Sequence, residues 1–217
     1  MPRGTLITIE GLDGAGKSTL ARSLSEELAA RACVRARRGA QRVELLREPG
    51  GVPASERIRE LVKDPALTVG AAAEALLYAA ARAQLVQERL QPLLAAGALV
   101  LLDRFVDSSL AYQGAGRQLG IERIRTINLL ATDALQPDRT LLLRIAPATG
   151  RARQAARGLS PDRLEGEDEA FFARVATAYD ELAHAEPQRF CVIDAERPAA
   201  TVLQDALIAV EDLLDLI

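Results

Sequence analysis

A glycine-rich segment near the start of the sequence has the residue types and spacing of a phosphate-binding loop. Residues 11–18 read Gly-Leu-Asp-Gly-Ala-Gly-Lys-Ser and fit the pattern G-x-x-x-x-G-K-[ST]. Glycines let successive backbone N–H groups turn towards phosphate oxygens, because no side chain blocks the approach. Lys17 supplies a positive charge for the β- and γ-phosphates, and Ser18 supplies a hydroxyl for Mg²⁺. The predicted ATP-binding residues are Gly11, Leu12, Asp13, Gly14, Ala15, Gly16, Lys17, Ser18 and Thr19.

The next candidate residues directly follow a continuous apolar run. Residues 98–102, Ala-Leu-Val-Leu-Leu, lead into Asp103 and Arg104. A strand-end carboxylate beside a phosphate-binding loop can hold a magnesium-bound water, and capping of a turn is the alternative. The planar guanidinium of Arg104 suits a phosphate, and a surface salt bridge is the alternative. The pattern predicts that Asp103 joins Ser18 in serving Mg²⁺ and that Arg104 binds a phosphate.

A second arginine ends another predicted strand. Arg47 begins the segment Arg-Glu-Pro-Gly-Gly, which follows the run 43–46. We expect the strands that lead to Arg47 and Arg104 to flank the P-loop strand, so that the two guanidinium groups converge on a second phosphate. This arrangement indicates transfer of a phosphoryl group to a phosphate, beyond simple ATP hydrolysis.

Two pairs of residues four positions apart could recognise an aromatic base. Tyr78 and Arg82 share one face of a predicted helix, which places a ring beside a hydrogen-bonding fork. Packing among neighbouring alanines is the alternative for Tyr78. Ser109 and Gln113 have the same spacing and would place a hydroxyl and an amide side by side if residues 108–114 are helical.

Three arginines lie in or near a loop that could fold over transferring phosphates. Arg153 and Arg157 share a helix face, and Arg163 lies in the segment 158–168, which has glycines, a proline and no apolar period. We expect residues of about 150–168 to form a mobile lid that carries these cations. A solvated surface paired with nearby acidic residues is the alternative.

The elements that would position these residues alternate along the chain between strands and helices. The five predicted strands are 5–9, 43–46, 98–102, 140–145 and 190–193. The predicted helices are one from residue 18, then 55–62, 69–96, a short one near 108–114, 121–131, one opened by Pro147, 169–184 and 198–216. This alternation predicts a single three-layer α/β domain over residues 1–217, a P-loop NTPase fold with a five-stranded, mainly parallel sheet.

Composition excludes several classes of protein. The 217 residues carry 27 Lys+Arg and 30 Asp+Glu, so the net charge of −3 argues against a nucleic-acid-binding domain. The longest apolar stretch, residues 93–102, is about half the length of a bilayer span, so we expect no membrane partner. Two cysteines and no signal-peptide pattern favour a cytoplasmic protein. Two of the basic residues, Lys17 and Lys63, are lysines in a chain that otherwise uses arginine.

Taken together, these residues resemble the thymidylate kinase family, P-loop enzymes that pass the γ-phosphoryl group of ATP to dTMP and so serve dTTP biosynthesis. The resemblance covers nearly the whole chain. It rests on six motifs in order, at residues 10–19, 47–51, 77–82, 103–105, 108–114 and 162–165. It implies small-molecule substrates, ATP and dTMP, with Mg²⁺, and a homodimer formed through long helices.

The resemblance also implies a role for each acceptor-side residue. Arg47 and Arg104 would bind the dTMP phosphate, and Tyr78 would stack on thymine. Arg82, Ser109 and Gln113 would read the polar edge of the base. Pro49 would wall the pocket, Tyr112 would lie where a ribose 2′-hydroxyl would protrude, and Asp13 would approach the 3′-hydroxyl.

The family resemblance further implies how the transferred group is neutralised. One form of the family has an arginine in the P-loop, and the other has it in the lid. In this chain Gly14 occupies the position of the P-loop arginine, so the chain resembles the bacterial, lid-arginine form. The charge of the phosphoryl group would then be neutralised by Lys17, Mg²⁺ and the lid arginines Arg153, Arg157 and Arg163.

Two other functions remain open from the sequence alone. Another nucleoside monophosphate kinase or a deoxynucleoside kinase could use the same scaffold with a different acceptor pocket. A P-loop switch or partitioning ATPase would control a partner protein, and it would hydrolyse ATP without an acceptor. The two acceptor-side arginines and the arginine-bearing lid argue against the switch.

Overall fold

Each strand predicted from the sequence is present in the computed structural model, which describes residues 3–35, 42–156, 158 and 162–215. The strands are β1 (Thr5–Gly11), β2 (Val43–Arg47), β3 (Leu99–Asp103), β4 (Arg139–Arg144) and β5 (Phe190–Asp194). They form one sheet in the order β2-β3-β1-β4-β5, and every neighbouring pair is parallel. The predicted α/β fold with a parallel five-stranded sheet is confirmed.

Helices cover both faces of this sheet. They are α1 (Lys17–Arg35), α2 (Pro53–Lys63), α3 (Ala71–Leu85), α4 (Gln91–Ala95), α5 (Val106–Ser109), α6 (Ile121–Thr132), α7 (Pro147–Ala155), α8 (Glu169–Ala185) and α9 (Ala199–Asp215). Two π-helical segments, Val86–Leu90 and Leu110–Gly116, interrupt this series. None of the helices in the described ranges is long and apolar enough to cross a membrane.

The strand order corrects one prediction about the two arginines. Only β3, which leads to Arg104, flanks the P-loop strand β1, whose other neighbour is β4. Strand β2, which ends at Arg47, lies at the edge of the sheet. The reason is burial: four of the five β3 residues are fully covered, whereas Leu45 of β2 is 40% exposed, as suits an edge strand.

The long helix predicted over residues 69–96 is interrupted. It begins as α3, passes through the π-helical turn 86–90 and ends as α4. Pro92 has no N–H, and its ring would collide with the carbonyl of Glu88 in a regular α-helix. A wider turn, in which the N–H of Gln91 donates to the carbonyl of Val86, avoids this collision.

Alternation along the strands divides the core between the two faces of the sheet. Ile7 and Ile9 of β1 pack in one apolar cluster with Leu24 of α1. Leu6 of β1 packs in the other, with Leu85 of α3. Both faces are therefore covered, and the carboxyl ends of all five strands meet at one edge, where ligands bind in open α/β folds.

Candidate active site

The loop between β1 and α1 lies at this edge and is closed by tight backbone contacts. Gly14 has a φ of +82°, and a Cβ atom there would lie 2.3 Å from the carbonyl oxygen of Gly150 in α7. A side chain at position 14 is therefore excluded by both conformation and space. The P-loop of this chain has no room for an arginine at that position while α7 lies against it.

Lys17 points into a buried, charged environment. Its Nζ atom donates to the carbonyl oxygen of Leu12 at 2.8 Å, and the side chain is 7% exposed. Burial, assisted by the nearby Arg104 guanidinium, lowers the pKa of Lys17 to about 8, although Asp13 and Asp103 act in the opposite direction. The positive charge of the Lys17 ammonium group is thus only partly balanced by the surrounding carboxylates. A polyphosphate would supply the missing negative charge.

Ser18 and Asp103 face each other across the β1–β3 junction. The Ser18 hydroxyl donates to Asp103 Oδ2 at 2.6 Å. Mg²⁺ prefers oxygen ligands such as hydroxyl and carboxylate groups. At phosphate sites it takes its other ligands from water and substrate. The two predicted magnesium residues therefore lie together and have suitable chemistry.

Arg104 occupies the first position after β3 in a left-handed conformation, with a φ of +71°. Its Nη2 atom donates to Asp13 Oδ1 at 2.5 Å and to the Tyr112 hydroxyl at 3.1 Å. Its Nη1 atom donates to the Ser108 hydroxyl at 2.9 Å. Glu10 supports this turn from below, because its carboxylate accepts from the Phe105 N–H at 2.7 Å and from Ser108 at 2.5 Å.

The carboxylates around Arg104 differ in their charge environment. Burial, with Asp107 nearby, raises the pKa of Glu10 to about 7. Burial alone would also raise the pKa of Asp13, but Arg104 and Lys17 reverse that effect and hold it well below its usual range. Asp13 is thus a fixed negative charge that pairs with two cations, Lys17 at 3.9 Å and Arg104 at 2.5 Å.

Arg47, at the end of β2, is held by an acidic partner. Its Nη2 atom donates to both oxygens of Glu56 at 2.9 Å, and Glu56 also accepts from the Gly51 N–H at 2.8 Å. The Arg47 side chain remains 55% exposed, so it can turn towards a ligand.

The four predicted base readers lie together, and Arg82 is the most constrained of them. Its guanidinium donates to Glu48 at 2.7 Å, to Ser109 at 3.0 Å, to the Phe105 carbonyl at 2.9 Å and to Asn128. These contacts use four of its five N–H groups. The opposite oxygen of Glu48, Oε1, is buried without a partner among the described residues. Burial raises the pKa of Glu48 to about 7, although Arg82 opposes this shift.

A cavity of about 440 Å³ joins the P-loop to these acceptor-side residues. Most of the predicted site residues line it. They are Asp13, Gly14, Gly16, Lys17, Ser18, Thr19, Arg47, Pro49, Tyr78, Arg82, Asp103, Arg104, Ser109, Tyr112 and Gln113. Gly11, Leu12 and Ala15 belong to the same loop but do not line this cavity.

Comparison with known proteins agrees with this geometry. The family model of thymidylate kinase matches residues 9–206. The chain belongs to the thymidylate kinase family. The thymidylate kinase of Deinococcus radiodurans is 49% identical over 198 residues, which is 91% of this chain and 92% of that protein. The thymidylate kinase of Latilactobacillus sakei is 47% identical over 206 residues, 94% of this chain and 93% of that protein.

A solved structure has the same fold. The crystal structure of thymidylate kinase from Ehrlichia chaffeensis superposes with a TM-score of 0.77 at 27% identity, and covers 97% of this chain and all of that one. Membership of the thymidylate kinase family confirms the predicted activity: the chain is an ATP-dependent kinase that phosphorylates dTMP to dTDP.

The structure does not bring Arg153 or Arg163, the two lid arginines that it describes, to the cavity. Arg153 of α7 donates to the carbonyl oxygen of Ala195 at 2.9 Å. Arg163 turns inward and pairs with Glu74 Oε2 at 2.7 Å, because that carboxylate is fully buried and needs cationic partners. Arg157 lies outside the described residues. The prediction that Arg153 and Arg163 face the transferring phosphates therefore differs from the geometry, which seats both against protein acceptors.

Several cavity residues were missed by the sequence reasoning. They are Glu48, Arg59, Lys63, Ser108, Asp162, Leu164 and Glu165. Signals existed for some of them, since Glu48, Ser108 and Glu165 lie inside motifs that carry the family resemblance. Lys63 pairs with Asp162 at 2.6 Å. Besides Lys17, it is the other lysine in a sequence whose remaining basic residues are arginines.

Proposed function

We propose that phosphoryl transfer from ATP to dTMP takes place in the cavity between the P-loop and α3. The observation that carries this proposal is the arrangement Lys17–Asp13–Arg104, in which a P-loop cation and an acceptor-side cation both pair with one carboxylate. Such an arrangement fits two anionic groups that approach each other, one from ATP and one from a nucleoside monophosphate.

The donor side consists of the P-loop and its neighbours. Backbone N–H groups of residues 13–19 would cradle the ATP phosphates, and Lys17 would contact the β- and γ-phosphates. Ser18 and Asp103 would hold Mg²⁺, directly or through water, and the ion would neutralise charge on the phosphates.

The acceptor side would orient dTMP through its phosphate, sugar and base. Arg104 and Arg47 would hold the phosphate, and Asp13 and Tyr112 would lie beside the sugar. A dTMP phosphate oxygen is already ionised near neutral pH, so no protein base is needed to make it nucleophilic. The contribution of these residues is alignment and charge stabilisation.

The base would lie deeper in the cavity. Tyr78 would stack on thymine, and Pro49 would close the opposite wall. The remaining N–H of Arg82 and the Ser109 hydroxyl would serve the O4 atom of the base, and Gln113 would serve its N3–H group. All of these side chains line the cavity, which supports the proposal.

We propose that a lid arginine completes the donor side when substrates are bound. The exclusion of a side chain at Gly14 supports this lid-arginine form, because the P-loop cannot supply the cation itself. Arg157 is the remaining candidate among the three predicted lid arginines.

We further propose that the chain is a cytoplasmic homodimer that associates through the outer faces of α3 and α6. These helices pack side by side, and together they expose Leu76, Leu129 and Leu130, which are 56%, 48% and 90% accessible. Large exposed apolar side chains on two neighbouring helices are typical of an interface. Light scattering should give a dimer for the wild type and a monomer for Leu130→Glu, and a monomeric wild type would contradict this part of the proposal.

The acceptor assignment is tested by measuring ADP release from Mg-ATP with a panel of nucleoside monophosphates. Turnover should be much faster with dTMP than with AMP, CMP, GMP or no acceptor, because the cavity offers a ring and polar groups matched to thymine. Equal turnover without an acceptor would contradict the proposal and would favour a switch ATPase.

A further inference from the structure

Gln113 can read a base in either of two ways, depending on which end of its amide faces the cavity. The carbonyl oxygen accepts a hydrogen bond, whereas the NH₂ group donates one. Thymine carries a hydrogen on N3 and needs an acceptor there. Cytosine has a lone pair on N3 and needs a donor. The orientation of one amide group therefore separates two bases of nearly the same shape.

Glu74 contacts the other end of this amide. The Nε2 atom of Gln113 donates to Glu74 Oε1 at 2.8 Å, and both side chains are buried, at 2% and 0% exposure. No described residue donates to Gln113 Oε1. A charged carboxylate can only accept hydrogen bonds, so it selects the NH₂ end of the amide and leaves the carbonyl end for the cavity.

Two arginines hold the Glu74 carboxylate in place. Arg117 donates from Nη2 to Glu74 Oε2 at 3.0 Å and from Nε to both carboxylate oxygens at 3.2 Å. Arg163 pairs with Oε2 at 2.7 Å. Both oxygens of this buried carboxylate therefore face N–H groups that donate to them. The acceptor-only character of Glu74 is thus fixed by its surroundings.

We propose that Glu74 is a specificity-determining positioning residue. It orients the Gln113 amide so that the pocket presents an acceptor to N3–H of thymine and rejects a base with a lone pair at that position. Glu74 does not line the cavity, and it acts through Gln113. The inference rests on the proposed function, in which Gln113 faces the base.

The test compares two acceptors that differ at the N3 and C4 positions but share the 5-methyl group, dTMP and 5-methyl-dCMP. The kcat/KM value for each is measured with the full chain and saturating Mg-ATP. The wild type should prefer dTMP by about 100-fold or more, because a buried, mismatched polar group is left without a partner. In Glu74→Gln, residue 74 can donate a hydrogen bond as well as accept one, so the side-chain amide of Gln113 can flip by about 180°. The preference should fall by at least about tenfold.

A matched control separates orientation from general loosening. Arg117→Gln removes one of the two arginines that face Glu74 but leaves the carboxylate and its contact with Gln113. This variant should lose thermal stability and keep the wild-type preference for dTMP. An equal fall of the preference in Arg117→Gln and Glu74→Gln would overturn the inference, since a structural weakening would then explain both.

The remaining outcomes are also decisive. An unchanged preference in a folded Glu74→Gln variant would overturn the role of Glu74 and leave the proposed function intact. A wild type that does not discriminate between the two acceptors would instead overturn the base-reading part of the proposed function. If Glu74→Gln does not fold, Glu74→Asp keeps the charge opposite both arginines but shortens the reach to Gln113. Its preference should then fall as well, and an unchanged value would overturn the inference.

Discussion

The guanidinium of Arg104 donates to the carboxylate of Asp13 at 2.5 Å, which joins the acceptor-side strand end to the P-loop. The two residues follow neighbouring strands, β3 and β1, and Tyr112 bridges them through its hydroxyl. The position of Arg104, the proposed ligand of the acceptor phosphate, is therefore tied directly to the P-loop.

Replacing Asp13 by Asn should disturb this link without changing the shape of the side chain. The charge that opposes Arg104 is lost, so the guanidinium is held less firmly. We expect kcat/KM for dTMP to fall by about 10- to 150-fold, the range for a hydrogen bond to a charged group. Steady-state kinetics with dTMP as the varied substrate measures this, and an unchanged kcat/KM would show that Arg104 does not depend on Asp13.

The lowered pKa of Lys17 predicts a pH dependence for ATP capture. The free enzyme holds Lys17 with a pKa of about 8, so above that pH a growing fraction has lost the ammonium charge. We expect kcat/KM for ATP to fall about tenfold per pH unit above pH 8, because this parameter reports the free enzyme. The kcat value at saturating ATP should stay level to higher pH, since bound phosphates favour the charged lysine. Parallel decline of both parameters would contradict this assignment.

Arg163 is expected to act on stability more than on turnover. In Arg163→Gln the buried Glu74 loses one of its two arginines, which should lower the free energy of unfolding by about 1–3 kcal/mol. The kcat value should change by less than about fivefold, because Arg163 does not line the cavity. Denaturant unfolding and steady-state kinetics measure the two effects.

A surface pair provides the control for Arg163. Arg151 of α7 pairs with Glu169, which is 88% exposed, and such pairs contribute about 0–1 kcal/mol. Arg151→Gln should therefore change the free energy of unfolding much less than Arg163→Gln does. A large loss of kcat in Arg163→Gln with native stability would instead place Arg163 at the transferring phosphate.

Tyr112 is expected to exclude the ribose 2′-hydroxyl through its ring. The ring is 4% exposed and packs edge-on against Phe171 and Tyr179, so Tyr112→Ala would open the core and lower stability by about 3–5 kcal/mol. Tyr112→Phe keeps the ring and removes only the hydroxyl. It should retain a preference for dTMP over ribothymidine monophosphate of about 5- to 150-fold. Loss of that preference, measured as a kcat/KM ratio, would assign sugar selection to the hydroxyl.

The sequence predicted what depends on local pattern. Apolar runs located all five strands, and the glycine spacing from Gly11 to Ser18 located the P-loop. The neighbours of Arg163 could not be predicted in this way, because Glu74 lies on a helix far away in sequence and gives no periodic signal. The position of β2 at the sheet edge depends on the relative burial of whole strands. The π-helical segment Leu110–Gly116 contains no proline, so it lacks the local signal that Pro92 provides for the turn Val86–Leu90.

The π-helical segment Leu110–Gly116 limits how the length of the chain can change. Its wide turn, closed by the Arg117 N–H donating to the Tyr112 carbonyl at 2.8 Å, holds one residue more than an α-helical turn would. Deleting a single residue, such as Ala111, would place Gln113 three positions after Ser109 instead of four, which changes the angle and the rise between these two proposed base-reading side chains. This stretch should therefore tolerate neither insertions nor deletions, even where substitutions are accepted.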